Sequence, residues 1–155
     1  MCIRDKNNFD AVVGVSLLGT LYMSQAVIPH MKKQQRGSIV CMSSVSAQRG
    51  GGIFGGPHYS AAKAGIAAMT LVEAAELGRY GVRANCLAPL ARTRMTLQTP
   101  GVGSAVAPPE DGTFDLFHPG NVSPLVAYLA APDCPFTGGV FHVGGNEVGL
   151  YGGWH

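Results

Sequence analysis

The sequence predicts an α/β protein built on a doubly wound parallel sheet. Apolar residues recur at helical spacing over residues 9–33, and a short, continuous apolar run follows at residues 38–43. The same order repeats when an alanine-rich helical segment, residues 59–80, precedes an apolar run at residues 82–87. Short runs of this kind are typical of strands buried on both faces, which belong to parallel sheets with right-handed crossovers. In such sheets ligands bind beyond the carboxyl ends of the strands.

Each predicted element has its own boundary signal. Arg36 and Gly37 end the first helix, and a glycine-rich loop at residues 45–57 separates the first strand from the second helix. Gly78 and Gly81 close the second helix, and Pro89 lies just beyond the second strand. These signals give the order helix, strand, helix, strand for the first half of the chain.

The second half begins with a long loop. Residues 96–121 contain four prolines and several glycines, which predicts a loop with at most a short helix. Asn121 or Ser123 is expected to cap a helix that ends before Pro132. A final strand is predicted at residues 140–143, followed by a glycine-rich tail at residues 144–155.

Composition limits the class of protein. The chain has 155 residues, 46% of them hydrophobic, which suits one domain over residues 1–155. Only 13% are charged and the net charge is +2, so no basic surface for nucleic acid is expected, and the low charge favours an oligomer. The four cysteines are scattered without metal-ligand spacing, so no metal site is predicted. We expected no apolar stretch long enough to span a membrane, and hence a cytoplasmic chain.

Tyr59 and Lys63 form the candidate catalytic pair. They lie one turn apart on the same face at the start of a predicted helix. A free phenol has a pKa of about 10, so it needs a neighbouring positive charge before it exchanges its proton readily at neutral pH. Lys63 and the positive end of the helix would supply that charge. By spacing alone, a solvated cation–aromatic pair is the commoner outcome.

The motifs around Tyr59 and Lys63 favour a catalytic pair over a solvated cation–aromatic pair. The pair follows Ile39-Val40-Cys41-Met42-Ser43-Ser44 and a glycine-rich loop, and it precedes Gly81-Val82-Arg83-Ala84-Asn85 and Thr137-Gly138. This ordered set resembles the short-chain dehydrogenase/reductase family over nearly the whole chain. The resemblance implies the carboxyl-terminal part of a Rossmann-like domain, without the amino-terminal half that grips most of the dinucleotide. It also implies a truncated gene product or an incomplete gene model.

The resemblance assigns roles to individual residues. Tyr59 would be the general acid or base, and Lys63 would stabilise its phenolate and hold the nicotinamide ribose of NAD or NADP. Ser44 would bind the substrate oxygen. Ser43 is the alternative to Ser44 within the serine doublet. Ser46 fits the shorter serine-to-tyrosine spacing that is common in the family, but we place it past the strand end and favour Ser44. Pro89 and Thr93 would lie at the nicotinamide, although Thr93 also suits a helix cap, and Asn85 would be a structural amide.

Two positions depart from the family pattern, and two other features need separate interpretation. Leu90 replaces the glycine that usually follows the proline, and Ser16 stands where an asparagine often holds a relay water. Gly50, Gly52 and Gly55 spell a dinucleotide fingerprint, but they lack the strand-to-helix context and the acidic residue that it requires. We interpret them as a flexible rim over the site. His58 could contact substrate, but a surface histidine is the simpler interpretation.

The family resemblance also implies substrates and partners. The substrate would be a small carbonyl compound or secondary alcohol, and the resemblance is to the branch of the family that acts on hydroxyacyl thioesters and hydroxysteroids. The helices at residues 8–33 and 59–80 would form a homo-oligomer interface, with close approach permitted by small residues: Ala61, Ala62, Gly65 and Ala68. The alternative function is an inactive fragment that serves as an interaction or oligomerisation module.

Overall fold

The computed structural model describes residues 6–49 and 56–153. It has the predicted alternation of helices and strands. Its principal elements are α1 (Lys6–Val13), α2 (Gly19–Gln34), β1 (Gly37–Met42), α3 (Ser46–Arg49), α4 (Pro57–Leu77), β2 (Val82–Leu90), α5 (Arg94–Leu97), α6 (Ser123–Ala130), β3 (Val140–Gly144) and β4 (Glu147–Leu150).

The amino-terminal helix is continuous, as predicted. A π-helical turn at Gly14–Leu18 joins α1 to α2 without a break. The helix ends at Gln35, which adopts the left-handed conformation with φ 53° and donates its N–H to the carbonyls of the preceding turn. The short link to β1 follows directly.

This helix corrects one expectation from the sequence. Residues 11–31 carry no Asp, Glu, Lys or Arg, and the segment Asn8–Gln34 is long and apolar enough to cross a membrane. The expectation that no stretch reaches that length was therefore wrong. A single helix near the amino terminus that meets this criterion is weak support for membrane insertion.

The sheet has the order β1-β2-β3-β4. β1, β2 and β3 are parallel, with Cys41 opposite Cys86 and Leu87 opposite Phe141. β4 pairs antiparallel with β3 and was missed in the sequence, where residues 144–155 were treated as a glycine-rich tail. The signal was present, because Gly145, at φ 57°, and Asn146 form a two-residue turn of the kind that closes hairpins.

Helices cover both faces of the sheet, which confirms the doubly wound α/β architecture. On one face, α4 and the amino-terminal helix pack on alternate strand residues: Ile39, Cys41, Val82, Ala84, Cys86 and Val140. On the other face, α6 packs its Leu125, Val126 and Leu129 against Leu87 and Phe141. The fold therefore fixes the position of α4 over the sheet.

The segment between β2 and α6 is mostly irregular, as predicted, with α5 and the 3₁₀ turns Ser104–Val106 and Pro119–Val122. The predicted cap of α6 is wrong. The helix begins at Ser123, and no side chain caps it. Asn121 instead donates its side-chain amide to the carbonyl of Asp115, because this residue belongs to the preceding loop.

Candidate active site

The candidate site lies at the carboxyl ends of the parallel strands. β1 ends at Met42, β2 at Leu90 and β3 at Gly144, and α4 begins at the same edge. Gly56 precedes α4 in an extended conformation, and Pro57 occupies its first turn, where a missing N–H costs nothing. The first turns of α4 therefore present Tyr59 and Lys63 to this edge of the sheet.

The structure brings Tyr59 and Lys63 together. The Lys63 Nζ lies 5.7 Å from the centroid of the Tyr59 ring and donates a hydrogen bond of 2.8 Å to the carbonyl of Met42, the last residue of β1. Burial lowers the pKa of the Lys63 ammonium, and Cys86 beneath it opposes that shift. The ammonium is thus tied to the strand end, one turn beyond the phenol.

The two serines of the doublet have different environments. Ser43 is buried, its N–H donates to the carbonyl of Leu87, and its Oγ donates 2.7 Å to the carbonyl of Lys63. Ser44 is half-buried, and its Oγ accepts the N–H of Ser46 at 3.2 Å. Ser43 is therefore committed to holding α4 on β1, whereas the Ser44 hydroxyl proton has no acceptor among the described residues.

Ser46 lies past the end of β1, as expected, and is the first residue of α3. It is buried, and its Oγ has no hydrogen-bond partner among the described residues. A hydroxyl enclosed in this way is poorly placed to meet a substrate. The geometry thus agrees with the preference for Ser44, whose role stays a prediction.

The two remaining predicted residues lie at the end of β2 and just after it. Pro89 lies within β2, opposite Val143 of β3, so the expectation that it lies beyond the strand was wrong. The strand tolerates the proline because β1 ends opposite Leu87, so Pro89 has no β1 residue to bond. Thr93 is the N-cap of α5: its Oγ1 accepts the N–H of Thr96 at 3.1 Å, and its own N–H donates to Thr96 Oγ1 at 2.7 Å. The capping alternative for Thr93 is therefore confirmed, and its contact with a nicotinamide stays a prediction.

An ion pair that was not predicted from the sequence lies beside Thr93. The Arg92 guanidinium makes a two-pronged contact with the carboxylate of Asp115 and also donates 3.1 Å to the carbonyl of Val106. Hydrogen bonding from Arg92 holds the pKa of Asp115 below its usual range. Arg92 and Asp115 are far apart in sequence and lie in an irregular segment. The only signal in the sequence was therefore the presence of opposite charges in one proline-rich loop.

His58 corrects another expectation from the sequence. The histidine is only 5% exposed, and its ring centroid lies 6.3 Å from that of Phe9 in α1, so the expectation of a surface histidine was wrong. It is enclosed because α1 packs across the first turn of α4. The predicted rim formed by Gly50, Gly52 and Gly55 lies outside the described residues.

The predicted interface helices are only partly available to a partner. Ala62 is buried within the chain, and a Cβ at Gly65 would come within 3.1 Å of the Leu17 side chain, so these two residues serve internal packing. The expectation that they face a partner was wrong, whereas Ala61 and Ala68 are exposed. Large apolar side chains of the same helices are also exposed: Val15, Leu18, Tyr22, Met23, Leu71 and Val72.

Buried polar groups near the site are structural. Asn85 is fully buried, donates its amide to the carbonyl of Phe136 at 2.8 Å and accepts the N–H of Gly139 at 3.1 Å, which confirms a structural amide. Among the residues that the structure describes, no group of three His, Cys, Asp or Glu side chains could hold a metal ion.

Comparison with known proteins identifies the family of the chain. Residues 3–100 match the family model described as short chain dehydrogenase. A hydroxyacyl-CoA dehydrogenase of Mycobacterium tuberculosis is 38% identical over 149 residues, covering 92% of this chain and 46% of the relative. A 3-oxoacyl-(acyl-carrier-protein) reductase of Thermotoga maritima is 34% identical over 152 residues, covering 96% of this chain and 57% of the relative.

A solved structure shows the same arrangement. The crystal structure of a short chain dehydrogenase from Mycobacterium avium superimposes with a TM-score of 0.80 at 37% identity, covering 100% of this chain and 50% of that one. The chain thus spans about half the length of the relatives that it matches. On the family match and on this superposition, the chain belongs to the short chain dehydrogenase family.

Proposed function

We propose that the chain carries the catalytic half of an NAD(P)-dependent dehydrogenase/reductase that interconverts a carbonyl compound and a secondary alcohol. The observation that carries the proposal is the placement of the Lys63 ammonium at the end of β1, beside the Tyr59 ring. The Ser44 hydroxyl follows the same strand end and donates to no acceptor among the described residues. These placements support Tyr59 as the acid, Lys63 as the cation and Ser44 as the hydrogen-bond donor of one site.

The three side chains divide the work of moving a proton. In carbonyl reduction the Tyr59 hydroxyl donates its proton to the carbonyl oxygen, and the nearby Lys63 charge stabilises the phenolate that remains. Ser44 donates a hydrogen bond to the same oxygen and stabilises the negative charge that develops there. In alcohol oxidation the phenolate takes the proton back. The nicotinamide, when bound, supplies or accepts the hydride.

The described residues fit the nicotinamide half of such a cofactor. An ammonium has three N–H donors, and Lys63 gives one of them to Met42, so two can reach ribose hydroxyls. Pro89 and Thr93 follow along the same edge, where they would flank the nicotinamide. The cofactor would be NAD or NADP.

The relatives support a substrate class. Those aligned over most of this chain include a hydroxyacyl-CoA dehydrogenase and a 3-oxoacyl-(acyl-carrier-protein) reductase, which act on thioesters by their names. We therefore propose a 3-oxoacyl or 3-hydroxyacyl thioester as the substrate, ahead of a hydroxysteroid.

Calorimetric titration tests the cofactor side of the proposal. The chain should bind NADH or NADPH, and it should also bind reduced nicotinamide mononucleotide, because the nicotinamide side is the half that it carries. Lys63→Met should weaken binding by about tenfold or more, through loss of hydrogen bonds from a charged donor. Lys33→Met, on the exposed end of α2, is the matched control and should leave binding unchanged.

Tyr59→Phe tests the catalytic side. It removes the proton but keeps the ring, so turnover should be lost while cofactor affinity stays within about twofold. Undetectable binding of all three compounds by the wild type at millimolar concentration would contradict the proposal. Retained turnover in the Tyr59 variant would contradict the role of the phenol.

A second candidate function is an interaction module without catalysis, and the exposed apolar side chains favour it. Val15 is 79% exposed, Met23 67% and Val72 57%, on helices that already pack together. Burying such a surface between two copies would make a homo-oligomer through residues 8–33 and 59–80. Val72→Lys should then shift the sedimentation coefficient to that of a monomer, whereas Val148→Lys, at an equally exposed valine of β4 outside both helices, should not.

A further inference from the structure

The segment between β2 and α6 is closed into a compact unit by Arg92. The backbone N–H of Arg92 donates 2.7 Å to the carbonyl of Phe117, and its guanidinium binds both the carbonyl of Val106 and the carboxylate of Asp115. Arg92, just beyond the end of β2, therefore bonds to residues in the middle and at the far end of the segment: Val106, Asp115 and Phe117. We call residues 94–118 the strap.

Asp115 is the second anchor of the strap. Its carboxylate also accepts the N–H of Phe117 at 3.1 Å, and its carbonyl accepts the side-chain amide of Asn121 at 2.9 Å. The side chain of Arg92 is 12% exposed and that of Asp115 21%, so the pair is largely shielded from water. A two-pronged pair of this kind fixes orientation as well as distance.

The far end of the strap lies against the turn that follows β3. Leu116 lies against Gly145, just beyond β3, where an added Cβ would come within 2.8 Å of its side chain. Phe114 and Leu116 flank Asp115, and both are more than half exposed. Thr93, the candidate nicotinamide contact, adjoins Arg92. The ion pair thus sets the position of an apolar surface and of a candidate cofactor ligand at once.

We propose that Arg92 and Asp115 are positioning residues for the substrate side of the site, and that their ion pair holds the strap where Phe114 and Leu116 face the apolar part of the substrate. This inference rests on the proposed function. Without the ion pair, the strap would keep the backbone bond from the Arg92 N–H to Phe117, but it would lose the side-chain contact that fixes Asp115 and the residues beside it.

Neutralising one carboxylate at a time tests the ion pair. Asp115→Asn removes the ion pair but keeps an oxygen for the Phe117 N–H. Asp111→Asn is the matched control, because Asp111 caps Thr113 in the same strap and has no arginine partner among the described residues. Hydrogen exchange at the amides of residue 92 and His118 should quicken about tenfold in Asp115→Asn and Arg92→Met but not in the control. Unchanged exchange would overturn the proposal.

Steady-state reduction of S-3-oxooctanoyl-N-acetylcysteamine, whose alkyl chain supplies the apolar part, with NADH or NADPH tests positioning. Asp115→Asn should raise KM for this thioester about tenfold with kcat within about twofold, because binding of the apolar part is lost. Arg92→Lys should recover part of the thioester affinity that Arg92→Met loses, since lysine keeps the positive charge but lacks the two-pronged guanidinium. Equal falls in kcat and kcat/KM would overturn the positioning role. If the wild type shows no turnover, the proposed function is refuted. The hydrogen-exchange rates would still show whether the ion pair holds the strap.

Discussion

Glu73 gives a prediction that depends only on the packing of α4. The side chain is 7% exposed, and its Oε2 has no hydrogen-bond partner among the described residues. Burial raises the pKa of the Glu73 carboxyl, and a hydrogen bond from Ser24 of α2 offsets the shift only in part. Glu73→Gln keeps the shape and removes the buried charge. It should therefore stabilise the fold at neutral pH.

The size of the effect follows from removal of the charge, because the glutamine amide leaves the same position without a partner. An unsatisfied buried group costs about 1–3 kcal/mol when neutral and more when charged, and we take the difference as about 1–2 kcal/mol. For a chain of this size each kcal/mol shifts the melting temperature by about 2–4 °C. Glu73→Gln should therefore raise the melting temperature at pH 7 by several degrees, measured by circular dichroism. Glu76→Gln, one turn along on the exposed face of α4, is the control and should change stability by less than about 0.5 kcal/mol.

The effect of Glu73 on stability depends on pH, and its sign follows from the raised pKa. Because the folded chain binds the Glu73 proton more tightly than the unfolded chain, the contribution of this group to stability is greatest in acid and falls as the pH rises through the raised folded pKa. The difference between Glu73→Gln and wild type should therefore be small near pH 4 and grow towards pH 7. A difference that shrinks over this range, or equal melting curves at pH 7, would refute the reasoning.

Two further predictions concern the buried face of β2. Asn85→Ala removes the hydrogen bonds to Phe136 and Gly139, and it should lower the free energy of unfolding by about 2–4 kcal/mol in urea titrations; a loss below about 1 kcal/mol would contradict the structural role. Burial raises the pKa of the Cys86 thiol to about 11, so iodoacetamide at pH 8 should leave Cys86 unmodified in the native protein. Peptide mapping that finds Cys86 alkylated without denaturant would contradict its burial.

The elements that the sequence predicted well are those with a regular hydrophobic period or a strong breaker. The amino-terminal helix, β1 and α4 were found close to their predicted limits, because their apolar residues must face a buried surface. β2 runs three residues past its predicted end at residue 87, through Pro89 to Leu90. β4 was missed because all four of its residues are exposed, so no apolar run marked it. Its pairing depends on the neighbouring strand and the turn at Gly145, which are not local properties of residues 147–150.

The candidate site was predictable where spacing within one helix fixes geometry. Tyr59 and Lys63 are one turn apart in any helix, so their proximity needed no tertiary information. The link from Lys63 to Met42 and the contact between Arg92 and Asp115 join residues distant in sequence, and only the folded chain shows them. The same reason explains His58, whose burial depends on the packing of α1.

Transfer of a labelled hydride tests the central claim most directly. Purified chain would be incubated with acetoacetyl thioester and NADH or NADPH deuterated at the transferable position of the nicotinamide, and the product would be examined by mass spectrometry. The wild type should yield 3-hydroxybutyryl thioester carrying one deuterium, whereas Tyr59→Phe should yield none above background. Unlabelled or absent product from the wild type, or equal labelling by the Tyr59 variant, would contradict the claim that this phenol, supported by Lys63, carries the chemistry.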